Sequence, residues 1–537
     1  MKVKGQFVDL KNRKIFPAEI SFSKKIKFVH EIDSAPEIFI MPGLIDAHIH
    51  IESSMCTPGA FAEAAVPRGT TAVVSDPHEM ANVLGVSGVE YMIEDAKKVP
   101  LRFCFGCPSC VPATNVETSG GIVDSDQVAE LLKRPDVGFL SEMMNFPGVL
   151  AKDEEVMRKI KYAKESHKPV DGHAPGLSGE ALRKYVESGI TTDHECSSVE
   201  EAEEKASCGM NILIREGSAA RNLDSLKSLY NKCPEKIMLC SDDLHPDDLI
   251  NGHINVIVAR LLNDGFDLFD VLRSCTINPS KHYKLGSGCL EPGDLADLIL
   301  VDDLKTMNVV ETYIGGKKVY DKGQVLFSYE KAKPINNFNC SNISVDQLKV
   351  VASSDKMCVI QSFDGQLDTK EIEVKVNPGE EVSPNVKEDI LKIVLKERYT
   401  DKPPVTAFIK GFGLKKGAFA ESITHDSHNI IAVGTNDEDI VSAINEVIRL
   451  KGGMSVADAG EVESLALPVA GIMSNESVQT TSQAYKRLSS MIKEYGSEHK
   501  SPFMTLSFMA LLVIPEEKIS DNGLFRLEKF STIPLFR

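Results

Sequence analysis

The chain has 537 residues, 42% hydrophobic and 26% charged, the composition of a globular protein too long for a single core. Its 60 Lys+Arg against 78 Asp+Glu leave a net charge of -18, which repels phosphate backbones and excludes nucleic acid as an expected partner. The N-terminal MKVKGQFVDL lacks the apolar core of a secretory signal, and the apolar run from Phe508 to Ile514 is too short to span a bilayer, so no membrane partner is expected.

Residues 1–40 alternate in short stretches (VKGQFVDL, KIFPAEISFS, KIKFVHEI) that read as a small β-layer unable to fold alone. At Met41 the pattern changes. Apolar or β-branched runs recur at IDAHIH, TTAVVSD (70–76), LRFCFG (101–106), VGFLSE (137–142), KPVDGH (168–173), ITTDH (190–194), MNILIRE (210–216) and KIMLCSDD (236–243). Helical patterns separate them, such as DEEVMRKIKYAKESH and LSGEALRKYVESG, the latter ending at Gly189, a good helix stop. Eight strands alternating with helices over residues 41–285 predict a TIM-type (β/α)8 barrel, about 250 residues in typical cases. Polar residues end each run, on the face where such barrels place their chemistry.

Beyond the barrel, residues 286–335 return to turns and short strands (EPGD, ADLILVD, VVETYIG) and are expected to complete the β-layer begun by residues 1–40. From residue 336 to 537 strands (KMCVIQSF, KEIEVKV, VTAFIKGF, NIIAVG) mix with amphipathic helices. DEDIVSAINEVIRLKGG places Ile440, Ile444, Val447 and Ile448 at helical spacing, with Gly452 as stop. The expected α/β architecture is therefore a barrel, a small β-sandwich domain built from both its flanks, and a C-terminal α+β domain.

His48 and His50 are two apart in an apolar run, so a strand would project both imidazoles from one face, with Asp46 on that face too. Glu142, His173, His194 and Asp242 close four further strands. Each histidine alone reads as a hydrogen-bonded side chain; six ligand types on one barrel face are harder to reach by accident. Four imidazoles and two carboxylates suit two divalent cations with one carboxylate bridging. Mixed N/O ligation without thiolate fits Mn, Fe or Zn.

The order HxH, carboxylate, His, His, Asp resembles the amidohydrolase superfamily, as does the exit TINPSKHYKLGSG…EPGDLADLILVD. MPGLIDAHIHIESSM, VSDPHEMANV, DGHAPGLSG, TTDHE, LCSDDLHPDDL and THDSHNIIAVG resemble, across nearly the whole chain, its bacterial and archaeal adenine deaminase family. VGFLSEMMNF carries no lysine to be carboxylated and offers Glu142 instead, as that family does.

The resemblance implies hydrolytic deamination of adenine to hypoxanthine and ammonia in purine salvage. It also implies two divalent cations, Mn first with Fe or Zn as alternates, and a cytoplasmic homo-oligomer. Metal ligands would be His48, His50, Glu142, His173, His194 and Asp242. Glu142 would bridge, and Asp242 would pass the proton of the attacking hydroxide toward N1 or the leaving amine. Candidates for reading the base are Glu52, His78, Glu79, Arg215 and His245, with His425, Asp426 and His428 of THDSHN helping to close the site. Each could equally be a loop ion-pair or turn-capping residue. Asp243, next to Asp242, is expected to face outward. Alternatives are another amidohydrolase reaction on a cyclic amide or related heterocycle, or a non-catalytic scaffold.

Two motifs point elsewhere. CFGCPSC (Cys104, Cys107, Cys110) has metal-site spacing, but it lies on a predicted barrel strand without a nearby fourth thiol, and reads as buried apolar cysteine. KGFGLKKGAF (410–419) lacks phosphate-loop spacing and reads as a loop. The twelve Cys scatter through apolar segments, as expected of reduced thiols.

Overall fold

The computed structural model describes residues 1–537 except 115, 219, 365 and 515. The chain divides into two compact units. The first comprises Met1–His78, Val89–Cys110 and Asp124–Ala332; the second comprises Glu79–Gly88, Val111–Val123 and Lys333–Arg537.

The first unit contains the eight expected parallel strands: β1 (Leu44–Ile49), β2 (Thr70–Ser75), β3 (Arg102–Cys107), β4 (Val137–Met143), β5 (Val170–Gly172), β6 (Thr192–Asp193), β7 (Asn211–Arg215) and β8 (Ile237–Cys240). They form a five-stranded sheet, β1 to β5, and a three-stranded sheet, β6 to β8. Parallel bridges Val170–Ile190 and Ile49–Asp242 join the two at both seams and close the ring. Strands β1, β2 and β8 are buried at every position, as parallel strands covered on both faces must be. Ala47, Val74, Phe139, Leu213 and Met238 pack into one apolar cluster. Between strands, the helix Glu154–Glu165 is capped by Asp153, and Gly179–Glu187 ends two residues before Gly189, whose φ of +108° suits glycine.

The residues flanking the barrel pair with each other, as expected. Phe39–Pro42 runs parallel to Lys2–Asp9 and antiparallel to Leu298–Asp303, in the middle of an eight-stranded sheet. Phe7, Ile20, Phe22, Ile40, Leu298 and Tyr313 share its core. Cys104 and Cys107 lie on β3, and burial raises both thiols, Cys104 to about 12, so neither offers a thiolate near neutrality.

The second unit is α+β. Its eight-stranded sheet includes the predicted strands as Lys356–Gln361, Lys370–Lys375, Val405–Lys410 and Ile430–Gly434. The helix Asp437–Leu450 buries Ile440, Ile444, Val447 and Ile448 against it, is capped by Asn436, and ends at left-handed Lys451 just before Gly452. Residues 411–417 connect two strands as a loop, as KGFGLKKGAF implied. Among the described residues no helix is long and apolar enough to cross a membrane.

Candidate metal centre

Glu142 is the hub of the first unit's polar cluster. Its Oε1 lies 3.2 Å from His50 Nε2 and 3.5 Å from His78 Nδ1. Its Oε2 lies 2.7 Å from His173 Nδ1 and 3.2 Å from His194 Nε2. Each oxygen thus faces a different pair of imidazoles. Asp242 completes one side: its Oδ1 is 3.4 Å from His48 Nε2 and 3.3 Å from His50 Nε2. The His48 and His50 Nε2 atoms are themselves 3.2 Å apart, and the His48 ring stacks on His194 at 4.3 Å. His48, His50, Glu142, His194 and Asp242 are at most 4% exposed.

These charges perturb one another strongly. Burial alone would lower the imidazoles of His50 and His194, but Asp242 and Glu142 around the first and Glu142 and Glu195 around the second raise both well above 6.5. Burial would raise the Glu142 and Asp242 carboxyls. His194 and His173 hold Glu142 well below its usual range, and Arg215, His48 and His50 do the same for Asp242. Such a convergence of imidazole nitrogens and carboxylate oxygens, without thiolate, fits divalent cations, and the overlapping groups around Glu142 fit a binuclear arrangement.

Arg215, at the end of β7, grips two carboxylates. Its Nη1 donates to Glu195 Oε1 at 2.5 Å and Asp242 Oδ2 at 2.6 Å, and its Nη2 donates to Glu195 Oε2 at 2.9 Å. Of the other residues named from sequence, His78 joins the Glu142 group. Glu52 is buried in the turn Ile51–Ser54 after β1, and His245 is buried just ahead of the helix Pro246–Leu249. Asp243 is part-exposed and accepts a hydrogen bond from Ser53 Oγ at 2.6 Å. Glu79, His425, Asp426 and His428 gather in the second unit: His425 Nδ1 is 2.7 Å from Glu79 Oε1, and His428 Nε2 abuts Glu79 Oε2.

Three features escaped the sequence reading. Asp76, in the SDPHE motif, stands 3.2 Å from His78 Nδ1 and belongs with His50, His78 and Glu142. Glu195 directly follows His194, and strand alternation would send it to the opposite face. Strand β6 stops at Asp193, and past it both side chains face each other at 3.2 Å. Asp46, expected beside His48 and His50, instead accepts from Ser241 and from His253 Nε2 at 2.8 Å. The β1–β2 ladder shifts register between Asp46 and Ile49, which breaks the two-residue alternation there.

Residues 39–319 match the Amidohydrolase family, and residues 366–531 match the Adenine deaminase C-terminal domain. The chain is 50% identical to an adenine deaminase of Methanosarcina barkeri (strain Fusaro / DSM 804), over 99% of this chain and 98% of that one. It is likewise 50% identical to an adenine deaminase of Parabacteroides distasonis, over 99% of this chain and 98% of that one. A beta-aspartyl dipeptidase structure from Fervidobacterium islandicum AW-1 aligns with TM-score 0.46 and 17% identity over 60% of this chain and 98% of that one.

Proposed function

We propose that this chain, which belongs to the adenine deaminase family, hydrolyses adenine at C6 to hypoxanthine and ammonia and so serves purine salvage. The observation that carries this reading is Glu142, set between two pairs of imidazoles at the mouth of a barrel whose whole chain matches that family.

His48, His50 and Asp242 would hold one divalent cation, His173 and His194 the other, with Glu142 shared. Manganese is our first choice, because oxygen ligands move the preference away from Zn, with Fe or Zn as alternates. When bound, such a pair makes hydroxide available from water near neutral pH. The remaining work belongs to the protein. Asp242 is ionised, so it can accept the proton of the attacking water and return it to N1 or the departing amine. Arg215 fixes Asp242 Oδ2, which keeps Oδ1 toward His48 and His50. Glu195 holds the guanidinium in turn through two bonds, so the fork has little freedom to swing toward water.

Of the base-reading candidates Glu52, His78, Glu79 and His245 remain, together with His425, Asp426 and His428, while Arg215 is taken up by Glu195 and Asp242. A buried polar site discriminates the adenine edge because a wrong base would leave donors or acceptors unpaired. In this reading residues 424–429, of the same chain or of a neighbouring subunit, exclude water from the base. The twelve free cysteines support a cytoplasmic setting.

Purine profiling of Mn-loaded protein, monitored for ammonia, tests the proposal. Adenine is expected to give hypoxanthine and one ammonia. Ring opening without ammonia would instead assign a cyclic-amide hydrolase.

A further inference from the structure

The seam between β5 and β6 carries an imidazole on each side, with His173 one residue past β5 and His194 one residue past β6. Val170 and Ile190 pair across it in an isolated bridge. Past that bridge the N–H groups at the end of β5 turn to side chains. Gly172 N–H donates to Thr192 Oγ1 at 3.2 Å, His173 N–H to the Tyr185 hydroxyl at 3.1 Å, and Ala174 N–H to Asp193 Oδ2 at 3.2 Å. Side chains, in place of a regular ladder, therefore set how far apart the two imidazoles stand. Asp193 meets Lys205 of the helix Val199–Ser207, and both are 0% exposed. Lys205 Nζ donates to Asp193 Oδ2 at 2.9 Å, to Glu201 Oε1 at 2.7 Å and to the Ala174 carbonyl at 2.7 Å, which uses all three of its protons. Asp193 Oδ1 accepts the Glu195 N–H at 2.6 Å. The residues directly after His173 and His194 are thus tied by their backbones to one buried ion pair.

We propose that Asp193 and Lys205 are positioning residues for the cation held by His173 and His194: their buried pair fixes the backbone after each imidazole and so sets the spacing between the two. The inference rests on the two-cation reading above and concerns one half of it. A buried ion pair gains little stability over apolar side chains of similar volume, so orientation is what this one supplies. Partners that orient a ligand typically govern metal affinity by ~10–100-fold. The competing arrangement is a plain fastening of the helix Val199–Ser207 to the barrel, which affects both halves of the centre alike.

The test measures Mn2+ affinity of the full chain by competition with a chelator, in two parents that each keep one half of the centre. His48→Ala/His50→Ala keeps His173 and His194; His173→Ala/His194→Ala keeps His48, His50 and Asp242. Asp193→Asn, nearly isosteric, is expected to weaken Mn2+ binding by ~10–100-fold in the first parent and to leave the second little changed. Asp193→Asn/Lys205→Met, which leaves neither charge of the pair behind, carries the same comparison and the same expected result should the single change fail to fold by circular dichroism. Equal weakening in both parents, or none in the first, overturns the positioning role. Loss of folding in both variants makes the pair a structural fastening and overturns it as well. A first parent that takes up no Mn2+ overturns the two-cation reading and the proposal with it, whereas ammonia release from adenine by the unaltered protein reports on the reaction independently.

Discussion

Glu142 in the barrel and Glu79 in the second unit both have an imidazole on each oxygen, yet His50 and His194 respond in the opposite direction to His428. Around Glu142 the carboxylates Asp242 and Glu195 add to its charge, and they overcome the cost of burial so that His50 and His194 favour the protonated form. His428 is also buried, and there burial outweighs the attraction of Glu79, so its imidazole falls below 6.5. The same local pairing therefore raises or lowers the imidazole according to its other neighbours: further carboxylates around His50 and His194, and His425 and Arg398 beside His428. Charge density, more than the His–carboxylate pair itself, separates the two regions.

The sharpest break of this comparison removes the barrel's histidine pair. His48→Ala/His50→Ala should lose the metal of one site and bring deamination to background, read by elemental analysis and ammonia release; unchanged metal with full turnover would show that the shared strand end is not a ligand pair.

Next in size is Asp242→Asn. General acid–base groups contribute ~10²–10⁴-fold, and the loss should fall on kcat with KM little changed, because proton transfer belongs to the transition state. A variant impaired in KM alone would remove Asp242 from that role.

In the second unit the expected effect is smaller. His425→Ala, Asp426→Ala and His428→Ala should each lower adenine turnover by roughly ten- to a hundredfold, the equivalent of about 1–3 kcal/mol for a lost buried polar contact, with little change in melting temperature. Full turnover in all three would make this loop structural and confine the chemistry to the barrel.

The smallest effect tests the contrast itself, in metal-free protein. The His194 imidazole is raised, so its stabilisation is complete below the unfolded value of about 6.5 and is lost as pH climbs through the raised value. The His428 imidazole is lowered, so its stabilisation is complete above about 6.5 and is lost as pH falls. Melting temperatures of His194→Asn and His428→Asn, each subtracted from the unaltered protein across pH 5 to 8, should therefore slope in opposite senses. Parallel slopes would mean that both regions hold their rings in the same state.

Much of the fold was legible because its signals are local. Strand-length apolar runs, the helix stop at Gly189 and the buried stripe from Ile440 to Ile448 each depend on neighbours within a few residues. Ligand types at the strand ends were legible for the same reason, since a parallel barrel brings the ends of all eight strands to one face whatever their separation in sequence. The geometry at those ends was not. Asp46 left the expected face because the β1–β2 ladder slips beside it, and Glu195 joined the cluster because β6 ends one residue before His194. Alternation holds only where the ladder is regular, and functional loops begin where it stops. The grip of Arg215 on Glu195 and Asp242, and the meeting of Glu79 with His425 and His428, join residues that no periodicity relates. Residue type and spacing determined which side chains were available for chemistry. Chain folding over long separations decided which carboxylate each imidazole meets, because that choice depends on where strands and ladders end in space.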